Sequence, residues 1–139
     1  MLYFINMDKS FIIVVLGIFL SSCAYDPGDK RLQITNNTGH QISYEYGADT
    51  VPYTNNLIEY YLSTVIYPNE SMNIPENDAN WPAFVSNSRY GKMYLFIYEL
   101  DSLRKYDSID TVNKKGIYRR MEYSLDELEK LDWKIEITK

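Results

Sequence analysis

The chain has little of the chemistry on which most enzymes depend. Its 139 residues include one cysteine, Cys23, and one histidine, His40. A disulfide needs two cysteines, and nucleophilic triads and most transition-metal sites need histidine beside other groups. His40 falls in a predicted turn, where a solvent-exposed side chain is the expectation. We therefore expect no disulfide, metal site, cofactor or catalytic residue, and the sequence does not favour an enzyme.

The acidic residues match no familiar site either. Asp101, Asp107 and Asp110 lie in one polar stretch, but their spacing lacks the glycine and terminal glutamate of an EF-hand calcium loop. The sequence has no glycine-rich phosphate loop. A net charge of −5 makes nucleic acid or an anionic lipid surface a poor partner. An acid-pair hydrolase is kept as the least favoured alternative, because acids are plentiful.

The longest apolar run covers only residues 11–20. As a helix it would span roughly 15 Å, about half of a bilayer core. That length is typical of the hydrophobic region of a signal peptide. Met1 or Met7 could be the true start, since Met7, Asp8 and Lys9 would form a compact charged region before the run.

Leu20, Ser21, Ser22 and Cys23 follow in an order that resembles the bacterial lipobox. The resemblance implies cleavage before Cys23, a diacylglyceryl group on its thiol and a further acyl chain, such as palmitate, on the new amine. Two or more chains anchor a protein stably in a membrane. The alternatives are a plain secretory signal and an uncleaved anchor. Ala24, by resemblance to lipoprotein sorting rules, favours the outer membrane, facing the periplasm or the cell exterior.

We predict three segments: a signal peptide at 1–22, a tether at 23–30 and one folded domain at 31–139. Pro27 and Gly28 argue against regular structure in the tether. The signal peptide holds one lysine and one aspartate, so the charge of the remaining chain stays at −5. The domain has an ordinary size for a single core.

Alternating apolar and polar residues dominate the domain and predict about seven short strands, near residues 32–34, 42–46, 63–67, 72–74, 93–98, 117–123 and 133–137. The first two are expected to form a hairpin, and residues 93–98 a central strand that is buried on both faces. Residues 57–62 fit either a helix or a strand. The pattern predicts a mainly β protein, specifically a single β-sandwich that is immunoglobulin-like or similar, with a partly open barrel as the alternative.

One helix start is clear. Ser124 and Glu127 have the spacing of a capping box, and Tyr123 and Leu128 that of a hydrophobic staple. We expect a short helix that ends near Leu131 and precedes the last strand. Residues 101–113 are predicted to form a polar loop with one helical turn around Leu103.

Both ends of the domain resemble small uncharacterised bacterial envelope lipoproteins. The shared features are Ile34-Thr35-Asn36-Asn37-Thr38-Gly39 with a following tyrosine-rich strand, Tyr94-Leu95-Phe96-Ile97-Tyr98, Asp101-Ser102-Leu103, and a capped helix ending at Trp133 before a last strand. Asp132 stands where that group tends to have asparagine. The resemblance implies an envelope location and carries no function.

Four tripeptides read aspartate, hydroxyl residue, aliphatic residue. This is similar to the O-glycosylation acceptor pattern of some Gram-negative envelope proteins, and it implies modification of Thr50, Ser102, Ser108 and Thr111. The alternative is that these pairs are ordinary turn residues.

Tyrosine is frequent, at 14 residues, and Tyr60 and Tyr61 are neighbours. In a strand, neighbours face opposite sides, so one of them would lie on an outer face and could stack on a sugar or pack on a partner. We therefore favour a membrane-anchored, non-catalytic binding module with an unknown protein or glycan partner. The runner-up is a structural subunit, accessory subunit or inhibitor of an envelope assembly.

Overall fold

The structure is a computed structural model that describes residues 28–53, 57–76 and 80–139. Within them the protein is mainly β, with two three-stranded sheets and five short helices. The strands are β1 (Asp29–Asn36), β2 (Ile42–Gly47), β3 (Ser71–Glu76), β4 (Lys92–Glu99), β5 (Arg119–Ser124) and β6 (Lys134–Ile137). The helices are α1 (Ile58–Ser63), α2 (Trp81–Asn87), α3 (Leu100–Leu103), α4 (Ile109–Lys114) and α5 (Leu125–Lys130), and a 3₁₀ turn at Arg89–Gly91 precedes β4.

The predicted signal peptide and Cys23 lie outside the described residues. So does most of the predicted tether, and β1 begins at Asp29, within the last two residues assigned to it. None of the helices in the described ranges has the length and apolar character needed to cross a bilayer.

The first sheet has the order β3-β1-β6, with β1 antiparallel to β3 and parallel to β6. Leu32 and Ile34 are buried on one face of β1, as their alternation predicts. On the other face Gln33 donates a hydrogen bond to Asn73 at 3.0 Å, across the strand pair. A similar hydroxyl pair joins Thr35 to its partner on β3 at 2.8 Å. These cross-strand pairs support the same register as the backbone ladder.

The second sheet has the order β2-β4-β5, and all its pairs are antiparallel. Its middle strand β4 is buried on both faces, which confirms the prediction for residues 93–98. One face contributes Met93, Leu95 and Ile97 to a core cluster that also holds residues of the first sheet, α2 and α5. The other face contributes aromatic residues to a second cluster with α1, α3 and α4: Tyr94, Phe96 and Tyr98.

The predicted hairpin of the first two strands is wrong. β1 and β2 belong to different sheets, and the turn between them carries the chain from one sheet to the other. Ile42 instead forms an isolated bridge with Ile66. The alternation of apolar residues determines which face of each strand is buried, but it does not determine the hydrogen-bonding partner. The predicted strand at 63–67 is likewise reduced to that single bridge, because Pro68 and Asn69, whose φ is 66°, turn the chain away.

Residues 57–62 resolve as the helix α1, and the helical turn around Leu103 is confirmed as α3. The prediction of a polar loop for the rest of residues 101–113 is wrong in part, because α4 occupies the second half of this stretch and buries Ile109 and Val112. The helix α2 was not predicted. Its N-cap is Asn80, whose side chain accepts from the Ala83 N–H at 2.9 Å.

The capping box of α5 is confirmed. The Ser124 hydroxyl accepts from the Glu127 N–H, and the Glu127 carboxylate accepts from the Ser124 N–H at 2.8 Å. At its other end the Trp133 N–H donates to the Leu128 carbonyl at 2.8 Å, and the Asp132 N–H donates to Glu129 at 3.0 Å. With φ of 51° at Asp132, this is a Schellman motif, which turns the chain from the helix into β6.

Candidate functional site

The turn after β1 is built around the side chain of Asn36, which is fully buried. Its amide donates to the carbonyls of His40 at 2.7 Å and Ile66 at 2.9 Å. Its oxygen accepts from the N–H of Thr38 at 3.0 Å and from the Thr38 hydroxyl at 2.7 Å. One side chain thereby holds the turn in a single conformation and places Thr38 and His40 at the end of the sheets.

That turn forms one wall of an open cleft of about 500 Å³. The floor of the cleft is made of four isoleucines from four different segments, Ile42, Ile97, Ile117 and Ile137. Three are buried and Ile117 is half-buried, so the floor is apolar and closely packed underneath. A volume of this size is in the range of small-molecule sites.

The rim of the cleft is polar and includes the cationic side chains of Arg119 and Lys139. His40 and the acidic side chain of Glu99 line it as well. A guanidinium N–H of Arg119 donates to the Thr138 carbonyl at 2.6 Å, which ties the start of β5 to the chain after β6. Among the residues described, neither Arg119 nor Lys139 forms an ion pair with a carboxylate.

The same cleft contains Ser102, so a hydroxyl, an imidazole and a carboxylate share one depression. The described structure has no hydrogen bond between the His40 imidazole and either Ser102 or Glu99, and a nucleophile–base pair would need such a bond. Across residues 28–53, 57–76 and 80–139, no cluster of three or more His, Cys, Asp or Glu side chains could hold a metal ion.

A second polar feature is the buried carboxylate of Glu45, which is 7% exposed. It accepts hydrogen bonds from the Tyr61 hydroxyl and the Tyr53 N–H. Asn113 extends the network by accepting from the Tyr98 hydroxyl at 3.0 Å and donating to the Tyr53 carbonyl at 3.2 Å. Burial raises the pKa of Glu45, and the two donors to its carboxylate oppose that shift. These bonds attach α1 and the segment at Tyr53 to the second sheet.

Tyr60 and Tyr61 lie on α1 and do not share the predicted surface. Tyr60 is 49% exposed, whereas Tyr61 is fully buried. Their rings meet edge to face with centroids 5.3 Å apart. The prediction of a binding surface is therefore wrong for Tyr61, because its hydroxyl is used by Glu45 and its ring packs on Tyr98. Neither tyrosine lines the cleft.

The four candidate glycosylation residues are all half-buried. Thr50 donates its hydroxyl to Asp49 at 3.2 Å. Ser102 lies in α3, Ser108 is the N-cap residue of α4, and Thr111 lies inside α4. They are therefore mostly on short helices rather than in the single open loop that the sequence suggests, and their modification stays a prediction.

No local sequence pattern predicts the cleft. Its walls come from residues 38–42, 97–102, 117–119 and 137–139, which are brought together only by the strand order. The usable signals are the Asn36 to Gly39 turn cluster and the lone His40, for which the sequence predicts an ordinary exposed turn. His40 is indeed exposed, but it lies at the rim of the cleft.

Compared with protein families, characterised proteins and solved structures, the chain matches none of them. The assignment of a function must therefore come from the geometry of the chain itself.

Proposed function

We propose that this protein is a non-catalytic binding module and that the cleft walled by the Asn36 turn is its binding site. The observation that carries the proposal is the combination of an apolar isoleucine floor with a polar rim that includes Arg119 and Lys139, in one cleft of about 500 Å³. Sites with that composition bury the apolar body of a ligand and orient its polar group. The hydrogen bonds of Asn36 support a preformed site, since they hold one wall rigid.

We also propose that the two sheets pack as a single β-sandwich. Support comes from the first core cluster, which includes Ile34 and Ile135 of one sheet together with Met93 and Leu95 of the other. In this arrangement the cleft lies at one end of the sandwich, where β2 and β5 begin and β4 and β6 end. Such ends commonly carry the binding sites of sandwich domains.

The proposed location is the cell envelope, with a lipid on Cys23 holding the domain to a membrane, most simply the outer membrane. The support is the resemblance of residues 20–23 to a lipobox and of the domain ends to small envelope lipoproteins. A structural or accessory role in an envelope assembly is the second candidate. It is favoured by the exposed apolar side chains around α1, namely Val51, Tyr53, Leu57 and Tyr60.

A matched pair of substitutions tests the binding proposal. Ser102→Trp places a large side chain at the cleft, whereas Ser86→Trp places the same side chain on an exposed position of α2 that does not line it. We expect the first to abolish capture of small molecules from an envelope extract, read by mass spectrometry, and the second to leave capture unchanged. Equal capture by both variants, with both folded, would refute the cleft as the site.

Exposure of Tyr60 allows a test of the second candidate. Tyr60→Ala should leave the melting midpoint nearly unchanged, since half of the side chain is already in solvent, while Tyr61→Ala should destabilise the domain. Loss of a co-purifying envelope protein in the Tyr60 variant, with small-molecule capture intact, would favour an assembly role over the cleft.

A further inference from the structure

We infer that the ligand of the cleft is a small amphipathic anion, an apolar body that ends in a carboxylate or a similar acidic group. This inference rests on the proposed binding function and specifies its ligand class. The apolar part follows from the floor, where isoleucines from β2, β4, β6 and the segment just before β5 converge. Ile117 is half-buried and presents carbon surface to the cleft, while the other three isoleucines are buried and add no hydrogen-bonding group, so an apolar body is the complementary shape.

The sign of the polar group follows from the rim. Two of its side chains, those of Arg119 and Lys139, are cationic and one, that of Glu99, is acidic, while the chain as a whole has a net charge of −5. The side chains of the rim are therefore less acidic than the chain as a whole. A cation would meet the side chains of Arg119 and Lys139 there, and an anion would meet one acidic side chain, that of Glu99.

The geometry of Arg119 makes it the main contact. One of its N–H groups is held by the Thr138 carbonyl at 2.6 Å, which restrains the guanidinium at the edge of the cleft. A guanidinium has five N–H donors in a fixed fork, so donors are left for a planar acid such as a carboxylate. Restraint by Thr138 before binding reduces the entropy that a ligand contact must overcome.

The neighbour of Arg119 gives a matched control. Arg120 is also exposed, donates to a backbone carbonyl, that of Thr50 at 3.2 Å, and does not line the cleft. Arg119→Gln and Arg120→Gln remove the same charge from adjacent positions on one strand. Any effect of net charge alone is therefore equal in the two variants, and only the first removes a contact at the rim.

The probes are octanoate, octanol and octylammonium, which share an apolar chain and differ in the charge of the head group. The full chain, labelled at isoleucine methyl groups and held in phospholipid nanodiscs, is titrated with each, and the NMR signals of Ile117 and Ile137 are followed. Signals from the floor itself report binding in the cleft even where a probe also enters the lipid. We expect saturable shifts with octanoate at the lowest concentration, weaker binding of octanol and none of octylammonium.

Arg119→Gln should weaken octanoate binding roughly tenfold or more, the usual scale for a hydrogen bond to a charged group, without changing octanol binding. Arg120→Gln should change neither. If octanol binds as tightly as octanoate, or if the two variants behave alike, the anionic ligand class is overturned while the binding cleft stands. If no probe shifts the floor signals, and the envelope extract shifts none either, the inference and the proposed function both fail.

Discussion

The side chain of Asn36 offers the sharpest test of how this fold is held together. Asn36→Ala removes four hydrogen bonds from a fully buried position. Three of the groups left behind keep another partner, because the Ile66 carbonyl still accepts from the Ile42 N–H and the Thr38 hydroxyl still donates to the His40 carbonyl. At about 0.5–1.5 kcal/mol for each bond, and allowing for those partners, we expect a loss of about 2–4 kcal/mol in the free energy of unfolding.

The adjacent residue is the control. Asn37 is exposed, and its amide makes one long contact of 3.4 Å with Glu136. Asn37→Ala should therefore change the free energy of unfolding by no more than about 0.5 kcal/mol. Both values are measured by urea unfolding, with unchanged m-values as the sign that the unfolded state is comparable. If the two variants lie within about 0.5 kcal/mol of each other, the Asn36 network does not stabilise the turn and the reasoning fails.

Four further predictions concern other parts of the chain. The pKa of Glu45 is raised in the folded state, so the contribution of Glu45 to stability falls as the pH rises from the ordinary pKa of 4.5 through the raised one. The free energy of unfolding of Glu45→Gln, measured in urea, should therefore rise relative to that of wild type between pH 4 and pH 7. A difference that does not change with pH would contradict this. Ser124→Ala should lower the free energy of unfolding by about 1 kcal/mol because the helix cap is lost, and Trp133→Ala by about 3–5 kcal/mol because a core side chain is lost. Negligible effects of both substitutions would mean that α5 is not packed on the core. Asp132→Gly should raise the free energy of unfolding by about 0.5–1 kcal/mol, because glycine adopts positive φ without strain, and a decrease would count against the Schellman assignment. Cys23→Ala should move the protein out of the detergent phase in Triton X-114 partition, and unchanged partition would refute the lipid anchor.

Local sequence signals predicted those parts of the fold that depend on local chemistry. The capping box of α5 and the buried strand β4 could be found because a side-chain cap and a run of apolar residues act within a few positions. The helix α2 was missed even though Asn80 followed by Trp81 and Pro82 has the form of a helix start, with proline in the first turn. The apolar run after it fits a strand as well as a helix.

Strand pairing was the part that local signals could not supply. The parallel pairing of β1 with β6 joins residues about one hundred positions apart, and no residue pattern within either segment indicates which strand is its partner. The cleft could not be predicted for the same reason, since its floor is assembled from β2, β4, β6 and the segment just before β5. Residue types at the site were visible in the sequence, but their proximity is a product of topology.

The central position of β1 in the first sheet also has a mechanical consequence. The chain enters the domain at Asp29 and continues directly into the strand that pairs with β3 on one side and β6 on the other. A pull on the N-terminal end acts along the axis of β1, so both ladders are loaded in shear and must break together, instead of opening one hydrogen bond at a time. Under the proposed anchoring at Cys23, drag on the domain would pass through this doubly paired strand, which is the attachment best suited to resist forced unfolding.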